Sequence, residues 1–205
     1  MLSWIRSHIP GPTVCIAFGV HGDERAPIVA GRALAASLAA SDLACGAVLF
    51  LLGNPDAVAA DRRFLDVDLN RCFTPEALAR SPQHAEEQRA QVLAGALSEV
   101  DVLVDFHCTV EPGERFVMHH PDDAAHQQVA ALLDVAVTLS DPDLFFGGCS
   151  LDEHLSTRGR VGICYETGWI SDPDNSPARI QAEMRNVLVG LCLLYTSPSP
   201  RDRYG

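Results

Sequence analysis

The sequence lacks any excess of positive charge. Its 205 residues carry 15 Lys and Arg against 27 Asp and Glu, which gives a formal net charge of −12. A surface of that sign repels phosphate backbones, so nucleic acid is not an expected partner. A small anionic substrate is still compatible with this charge, because a local pocket can be basic on an acidic protein.

Long apolar segments are also lacking. The longest fully apolar run covers residues 47–52, whereas a membrane-spanning helix needs about 20 such residues. Residues 1–13 show neither an apolar stretch nor the cleavage-site pattern of a signal peptide. We therefore expect no membrane partner.

The seven cysteines never form a C-x-x-C pair, and they are odd in number and scattered along the chain. This pattern argues against a disulfide framework and against a cysteine zinc site. Reduced thiols are typical of a cytoplasmic protein, which is the location we expect.

Short apolar runs alternate with helical patterns along the chain. Strands are expected at residues 13–20, 46–52, 100–106, 115–119, 135–139 and 161–165, and helices at 24–40, 82–97, 122–133 and 177–191. Residues 54–75 are expected to be irregular. Strands of nearly continuous apolar character are typical of a parallel sheet covered on both faces. The sequence therefore predicts an α/β fold with three layers, in which a mostly parallel or mixed sheet carries helices on both faces.

His21 and Glu24 stand where the first predicted strand gives way to a helix. In open α/β sheets ligands bind at that edge. Imidazole nitrogen and carboxylate oxygen both suit zinc, so two such residues three positions apart are candidate metal ligands. The motif is weak alone, and the alternative is a helix-capping acid beside a surface histidine.

His107 ends the third major strand and is expected at the same edge of the sheet. Together with His21 and Glu24 it would supply three ligands and leave a fourth position open for water, which is the composition of a catalytic zinc site. Asp105 could orient one of these ligands. The alternative is a strand-end histidine bonded to a backbone carbonyl.

A loop rich in arginine follows the turn Gly53-Asn54-Pro55. Arg63, Asn70 and Arg71 indicate anion recognition, because a guanidinium is a planar fork that matches a carboxylate. An arginine can also stabilise a developing oxyanion. The alternative is a salt-bridged loop in which acidic neighbours, Asp66 and Asp68, neutralise the arginines.

Glu166 stands near the end of a late strand, in the segment Y-E-T-G. A carboxylate beside a zinc-bound water could take its proton. The alternative is an ordinary strand-end acid. Four further histidines are expected on the surface, and they are His119, His120, His126 and His154.

In their order along the chain, these motifs resemble the succinylglutamate desuccinylase/aspartoacylase family, which is related to the zinc carboxypeptidases. The motifs are H-G-D-E, G-N-P-D-A, R-F-L-D-V-D-L-N-R-C-F, D-F-H and E-T-G, and they run from about residue 14 to residue 168. The R-x-x-D-x-D-L-N-R block is the most specific of them. Phe106 and Asp23 depart from the commoner D-L-H and H-G-N-E of the family.

The resemblance implies a role for each matched residue. His21, Glu24 and His107 match the ligands of one Zn²⁺ per chain. Glu166 matches the general base that later acts as general acid, and Arg63 matches the arginine that polarises the scissile carbonyl.

The resemblance also implies which residues hold the substrate. Asn70 and Arg71 match the pair that binds a substrate carboxylate, and Asn54 matches a supporting position of the same substrate-binding set. The implied activity is hydrolysis of the linear amide bond of a small N-acyl amino acid. The alternatives are a zinc carboxypeptidase acting on peptides, an inactive truncated fragment and a binding module that keeps the fold.

The length of the chain bears on its domain organisation. We expect residues 1–191 to form the catalytic domain, and the β-rich C-terminal domain of the family to be missing. The string CLLYTSPSPRD near the end resembles a translated sequencing adapter. Residues 192–205 are therefore predicted to be a non-native or disordered tail.

Overall fold

The computed structural model describes residues 1–140 and 146–191, so the predicted tail at 192–205 lies outside the described residues. Within the described ranges there are seven strands: β1 Leu2–Arg6, β2 Thr13–Phe18, β3 Ala47–Leu52, β4 Val102–Thr109, β5 Phe116–His119, β6 Val137–Ser140 and β7 Val161–Trp169. The α-helices of the same ranges are α1 Arg25–Ser37, α2 Pro55–Ala60, α3 Pro75–Ala79, α4 Ala85–Ala96, α5 Ala124–Ala130, α6 Leu151–Ser156 and α7 Pro177–Gly190.

The strands form one mixed sheet in the order β1-β3-β2-β4-β7-β5-β6. Its centre is parallel, because β3, β2, β4 and β7 run in the same direction. β1 is antiparallel to β3, and β5 is antiparallel to β7. The carboxyl ends of β2, β4 and β7 therefore meet at one edge of the sheet, where open α/β sheets bind ligands.

Two apolar clusters cover the two faces of this sheet. On one face Phe18 of β2 packs with residues of α1 and α7, such as Leu34 and Met184. On the other face Leu93 of α4 and Leu155 of α6 belong to the second cluster. The predicted three-layer α/β fold with helices on both faces is thus confirmed. The edge at which β2, β4 and β7 end is supported by apolar packing on both faces of the sheet.

The predicted elements are present, with boundaries that differ by a few residues. Three short elements were not predicted, namely β1, α2 and α3. The expectation that residues 54–75 are irregular is wrong in part, because α2 begins at Pro55 and a 3₁₀ turn covers Leu69–Arg71. Asn54 caps α2 by accepting a hydrogen bond from the backbone N–H of Ala57 at 3.2 Å.

The expectation of exposed histidines is wrong for three of the four. His119, His126 and His154 are buried, with 1%, 2% and 1% of their surface exposed. Each finds polar partners inside the fold, which offsets the cost of burial. His126, for example, places Nδ1 2.8 Å from an Asp123 oxygen and accepts a hydrogen bond at Nε2 from the N–H of Gly162.

No helix within residues 1–140 and 146–191 is both long and apolar enough to cross a bilayer.

Candidate metal centre

Three side chains from two segments of the chain meet at the carboxyl edge of the sheet. His21 follows β2, Glu24 directly precedes α1, and His107 lies in β4. Their ligand atoms all lie within 4.8 Å of one another, and all three residues are buried. Nδ1 of His21 is 2.8 Å from Oε1 of Glu24, and Nδ1 of His107 is 3.2 Å from Oε2. The structure therefore brings the three predicted ligands together.

A second carboxylate contacts each imidazole at Nε2, while Nδ1 of the same ring contacts Glu24. Nε2 of His21 lies 3.1 Å from Oδ1 of Asp68, and Nε2 of His107 lies 2.8 Å from Oδ2 of Asp105. With both Nε2 atoms engaged in this way, both Nδ1 atoms face Glu24. Partners of this kind fix the ring orientation and raise the basicity of a metal-binding histidine. Sequence reasoning proposed this for Asp105 but treated Asp68 only as a charge neutraliser.

The buried carboxylates at this point depend on positive charge beside them. Burial opposes ionisation of Glu24, yet the charge and hydrogen bonds of His107, followed by those of His21, lower the pKa of Glu24 to about 2. Burial also opposes the charged form of His107, but Asp105 and Glu24 raise its pKa well above the ordinary value. Carboxylates packed this closely are stable only beside positive charge.

The residues present fit a divalent metal ion. Oε2 of Glu24 is buried and makes no hydrogen bond within the described ranges, although a histidine nitrogen lies nearby. A buried acceptor without a donor is costly unless something else satisfies it. Two imidazoles and a carboxylate are the ligand types that zinc accepts at three-ligand catalytic sites.

Glu166 faces the same edge from β7. It is directly opposite His107 in the register of β4 and β7. Burial raises the pKa of Glu166, and only part of this effect is offset by His107. Its Oε2 is buried and accepts no hydrogen bond within the described residues. A carboxyl group with a raised pKa is suited to exchange a proton with a reacting group.

A cavity of about 60 Å³ lies at this edge of the sheet. It is lined by His21, Arg63, Asn70, Arg71, His107, Met118, Phe146, Cys164 and Glu166. The structure thus gathers most of the predicted site residues around one space. Glu24 is not among the lining residues, and its carboxylate contacts Nδ1 of both histidines, at 2.8 Å for His21 and 3.2 Å for His107. Met118 and Phe146 were not singled out from the sequence, because no motif marks them.

Arg63 lies beside the proposed ligands with 40% of its side chain exposed. Its guanidinium is 3.9 Å from Oε1 of Glu24 and 3.8 Å from Oδ2 of Asp68. The alternative of a salt-bridged loop is therefore right for Asp68. These contacts are long, so the guanidinium keeps donors for a ligand in the cavity.

Asn70 and Arg71 occupy another wall of the cavity. Oδ1 of Asn70 accepts a hydrogen bond from the N–H of Leu151 at 2.9 Å, which leaves its Nδ2 as the group that can donate to a ligand. Nη1 of Arg71 donates to the backbone carbonyl of Asn70 at 2.7 Å. This wall therefore offers an amide and a guanidinium to an anion.

Asn54 does not line the cavity. Besides capping α2, it donates from Nδ2 to Oε1 of the buried Glu86 at 3.2 Å. The same oxygen accepts from the N–H of Leu65 at 2.7 Å. Asn54 and Glu86 together hold the loop that carries Arg63, which gives Asn54 a supporting position without contact to the cavity.

The close packing of Gly22 against α2 explains why the first motif contains glycine at this position. A Cβ atom at this position would lie 2.2 Å from the carbonyl carbon of Ala57 in α2. We expect Gly22→Ala to push the loop of His21 and Glu24 away from α2, and to lower the free energy of unfolding by about 1–3 kcal/mol. Thermal unfolding and zinc titration of the variant would measure both effects.

Gly95→Ala is the matched control, because a Cβ atom at this exposed position of α4 meets nothing within 4 Å. It should raise the free energy of unfolding by about 0.5–1 kcal/mol, since alanine favours helix more than glycine does. Equal stability of the Gly22→Ala variant and the parent chain would contradict the close contact.

Comparison with known proteins gives a consistent picture. The family model described as "Succinylglutamate desuccinylase/Aspartoacylase catalytic domain" matches residues 10–143, which is more than half of the chain. The succinylglutamate desuccinylase of Pseudomonas paraeruginosa is 44% identical over 64 residues, which cover 31% of this chain and 19% of that protein. A probable aspartoacylase of Nostoc is 35% identical over 94 residues, which cover 42% of this chain and 32% of that protein.

Solved structures of similar fold cover almost the whole chain. The product-bound ectoine utilization protein EutE (DoeB) of Ruegeria pomeroyi superposes with a TM-score of 0.81 at 25% identity, over 96% of this chain and 62% of that one. A succinylglutamate desuccinylase/aspartoacylase of Rhodobacter sphaeroides gives 0.78 at 22% identity, over 96% and 60%. The chain thus spans less than two thirds of the length of these proteins, and its predicted fold class is confirmed.

Proposed function

Because the chain belongs to the succinylglutamate desuccinylase/aspartoacylase family, we propose that it is the catalytic domain of a zinc-dependent hydrolase that cleaves the amide bond of N-acyl amino acids. The observation that carries this proposal is the convergence of two imidazoles and one carboxylate on a point beside Glu166.

The residues that would hold zinc are His21, Glu24 and His107. When bound, zinc polarises the substrate carbonyl and lowers the pKa of a water molecule towards about 7. Asp68 and Asp105 keep the imidazole rings turned so that both Nδ1 atoms face Glu24, where they would serve as ligands. Three protein ligands leave room for a substrate or water at a fourth position.

Glu166 is the proposed proton carrier. Its register position opposite His107, at the cavity that both residues line, supports this role. In the ionised form it takes a proton from the attacking water, and it later delivers that proton to the leaving nitrogen. Burial raises its pKa above that of an ordinary carboxyl group, which favours the return of the proton in the second step.

The cationic and amide side chains bind and orient the substrate. Arg63 donates to the carbonyl oxygen, where negative charge develops during attack. Asn70 and Arg71, which also line the cavity, hold a carboxylate of the substrate, and this favours N-acyl amino acids over neutral amides. Cys15, Cys72, Cys108, Cys149 and Cys164 form no disulfide, which is consistent with a reducing compartment, so we place the reaction in the cytoplasm.

The test compares two substrate classes on the zinc-loaded chain. We expect release of acetate or succinate from N-acetyl and N-succinyl amino acids, with no cleavage of peptides that have free amino groups. Cleavage of peptides at a higher rate would instead identify a carboxypeptidase. Tight zinc binding without hydrolysis of either class would identify an inactive fragment and overturn the proposed activity of this chain.

A further inference from the structure

Arg71 rests on an aromatic ring that no sequence motif marks. Its guanidinium carbon lies 4.4 Å from the centroid of the Phe146 ring. At this distance the cation is attracted by the negative face of the ring. Both side chains line the cavity that also contains Glu166 and the two proposed histidine ligands. Phe146 is therefore placed to fix the plane of a group that we expect to bind substrate.

A buried carboxylate holds Phe146 in this position. The two oxygens of Glu153 accept hydrogen bonds from the backbone N–H groups of Phe146 and Gly148, each at 2.7 Å. Glu153 lies in α6 and is only 2% exposed. Hydrogen bonds to an ionised acceptor are the stronger kind, particularly away from water. The turn at residues 146–148 is thus tied to the first part of α6.

The same end of α6 supports Arg71 from its other side. The N–H of Leu151 donates to Oδ1 of Asn70, and the backbone carbonyl of Asn70 accepts from Nη1 of Arg71. One short stretch, Leu151–Glu153, therefore anchors both the ring beneath Arg71 and the carbonyl beside it. A guanidinium fixed in this way loses little conformational entropy when it binds a carboxylate.

We propose that Phe146 is a specificity-determining residue that selects substrates with a carboxylate on a short aliphatic chain. Phe146 holds the guanidinium of Arg71 so that its remaining N–H groups meet the carboxylate. The ring and the side chain of Met118 supply apolar surface for the methylene groups between that carboxylate and the scissile amide. Glu153 is the positioning residue for Phe146. The inference rests on the proposed function, because it names the substrate class of the same site.

The experiment measures succinate binding by calorimetry, with acetate as the shorter probe, on the chain with and without added Zn²⁺. Phe146→Ala should weaken succinate binding about 3- to 30-fold, which is the range that one cation–π contact supports. Acetate binding should change little, because acetate lacks the second carboxylate. Phe146→Tyr keeps the aromatic face and should bind succinate as the parent chain does. Phe146→Leu is apolar but has no aromatic face, and it should bind succinate as weakly as the alanine variant.

Two further variants test how the ring is held and whether the effect is local. Glu153→Gln retains one oxygen acceptor in place of two, so we expect a smaller loss of succinate affinity in the same direction. Trp4→Ala removes a similar contact on β1, where the Arg6 guanidinium carbon lies 4.0 Å from the Trp4 ring. This control should leave succinate binding unchanged.

Turnover separates this inference from the proposed function. If N-succinyl amino acids are hydrolysed, Phe146→Ala should raise KM by the same factor and leave kcat nearly unchanged. Succinate affinity equal to that of the parent chain in both the alanine and leucine variants would overturn the role of Phe146, even with full hydrolysis. Affinity that depends on Phe146 in a chain without hydrolysis would uphold the inference and reject the proposed activity.

Discussion

Glu166→Gln is expected to reduce hydrolysis of N-acyl amino acids about 10²- to 10⁴-fold, which is the usual contribution of a positioned general acid–base group. Glutamine keeps the size of the side chain but cannot take a proton from water. The loss should fall mainly on kcat, because the substitution removes the proton carrier and Glu166 is not one of the three proposed ligands. Zinc content measured on the same samples should equal that of the parent chain.

A control for this variant is Glu99→Gln. Glu99 lies far from the cavity, where its exposed carboxylate pairs with Arg6 at 3.1 Å. Its substitution should leave both turnover and zinc content unchanged. Full turnover of the Glu166→Gln variant would show that another group moves the proton.

The site residues that sequence reasoning identified share one property. His21, His107 and Glu166 lie at or near the carboxyl ends of neighbouring parallel strands. Because these ends meet at one edge of a sheet, an apolar run followed by a polar residue indicates both the strand and the place of the side chain. The convergence of the three was therefore predictable before any distances were known.

Residues that act through long-range contacts could not be identified in this way. Glu86 and Glu153 both lie in helices. Glu86 holds the loop at Leu65, which is distant in sequence, and Glu153 holds the turn at Phe146, which carries no periodic pattern. Phe146 precedes a Gly-Gly pair that indicates only a turn. Their roles follow from hydrogen bonds to backbone N–H groups, which a pattern of residue types does not encode.

For the buried histidines a sequence pattern was present, but it predicted the wrong environment. A histidine near Pro and Asp residues is typical of a surface turn, and this favoured exposure for His119 and His126. The fold instead stacks the two rings 5.7 Å apart and supplies Asp123 and Gly162 as partners of His126. β1 was missed for a related reason, because at the sheet edge it has one buried residue among its five and so lacks a continuous apolar run.

His107→Ala is expected to remove zinc binding, and with it hydrolysis. The variant loses one of three ligands and leaves Asp105 and Glu24 as buried carboxylates without their shared partner. Loss of a hydrogen-bonding partner behind a ligand lowers metal affinity only about 10- to 100-fold, so loss of the ligand itself should exceed that range. Competition with a zinc chelator would measure the change, and circular dichroism would check that the fold is kept.

A graded series turns this expectation into a test of the geometry. Asp68→Asn should lower zinc affinity about 10- to 100-fold, because a neutral amide oxygen is a weaker acceptor for Nε2 of His21 than the carboxylate oxygen that lies 3.1 Å from it. Asp66→Asn is the matched control from the same motif, since its carboxylate is 56% exposed and lies 4.0 Å from His84. If His21, Glu24 and His107 hold the ion, zinc affinity should be highest and equal in the parent chain and the Asp66→Asn variant. It should be lower in Asp68→Asn and lowest in His107→Ala. Zinc bound equally well by all four chains would place the ion elsewhere, and the proposed chemistry at Glu166 would lose its basis.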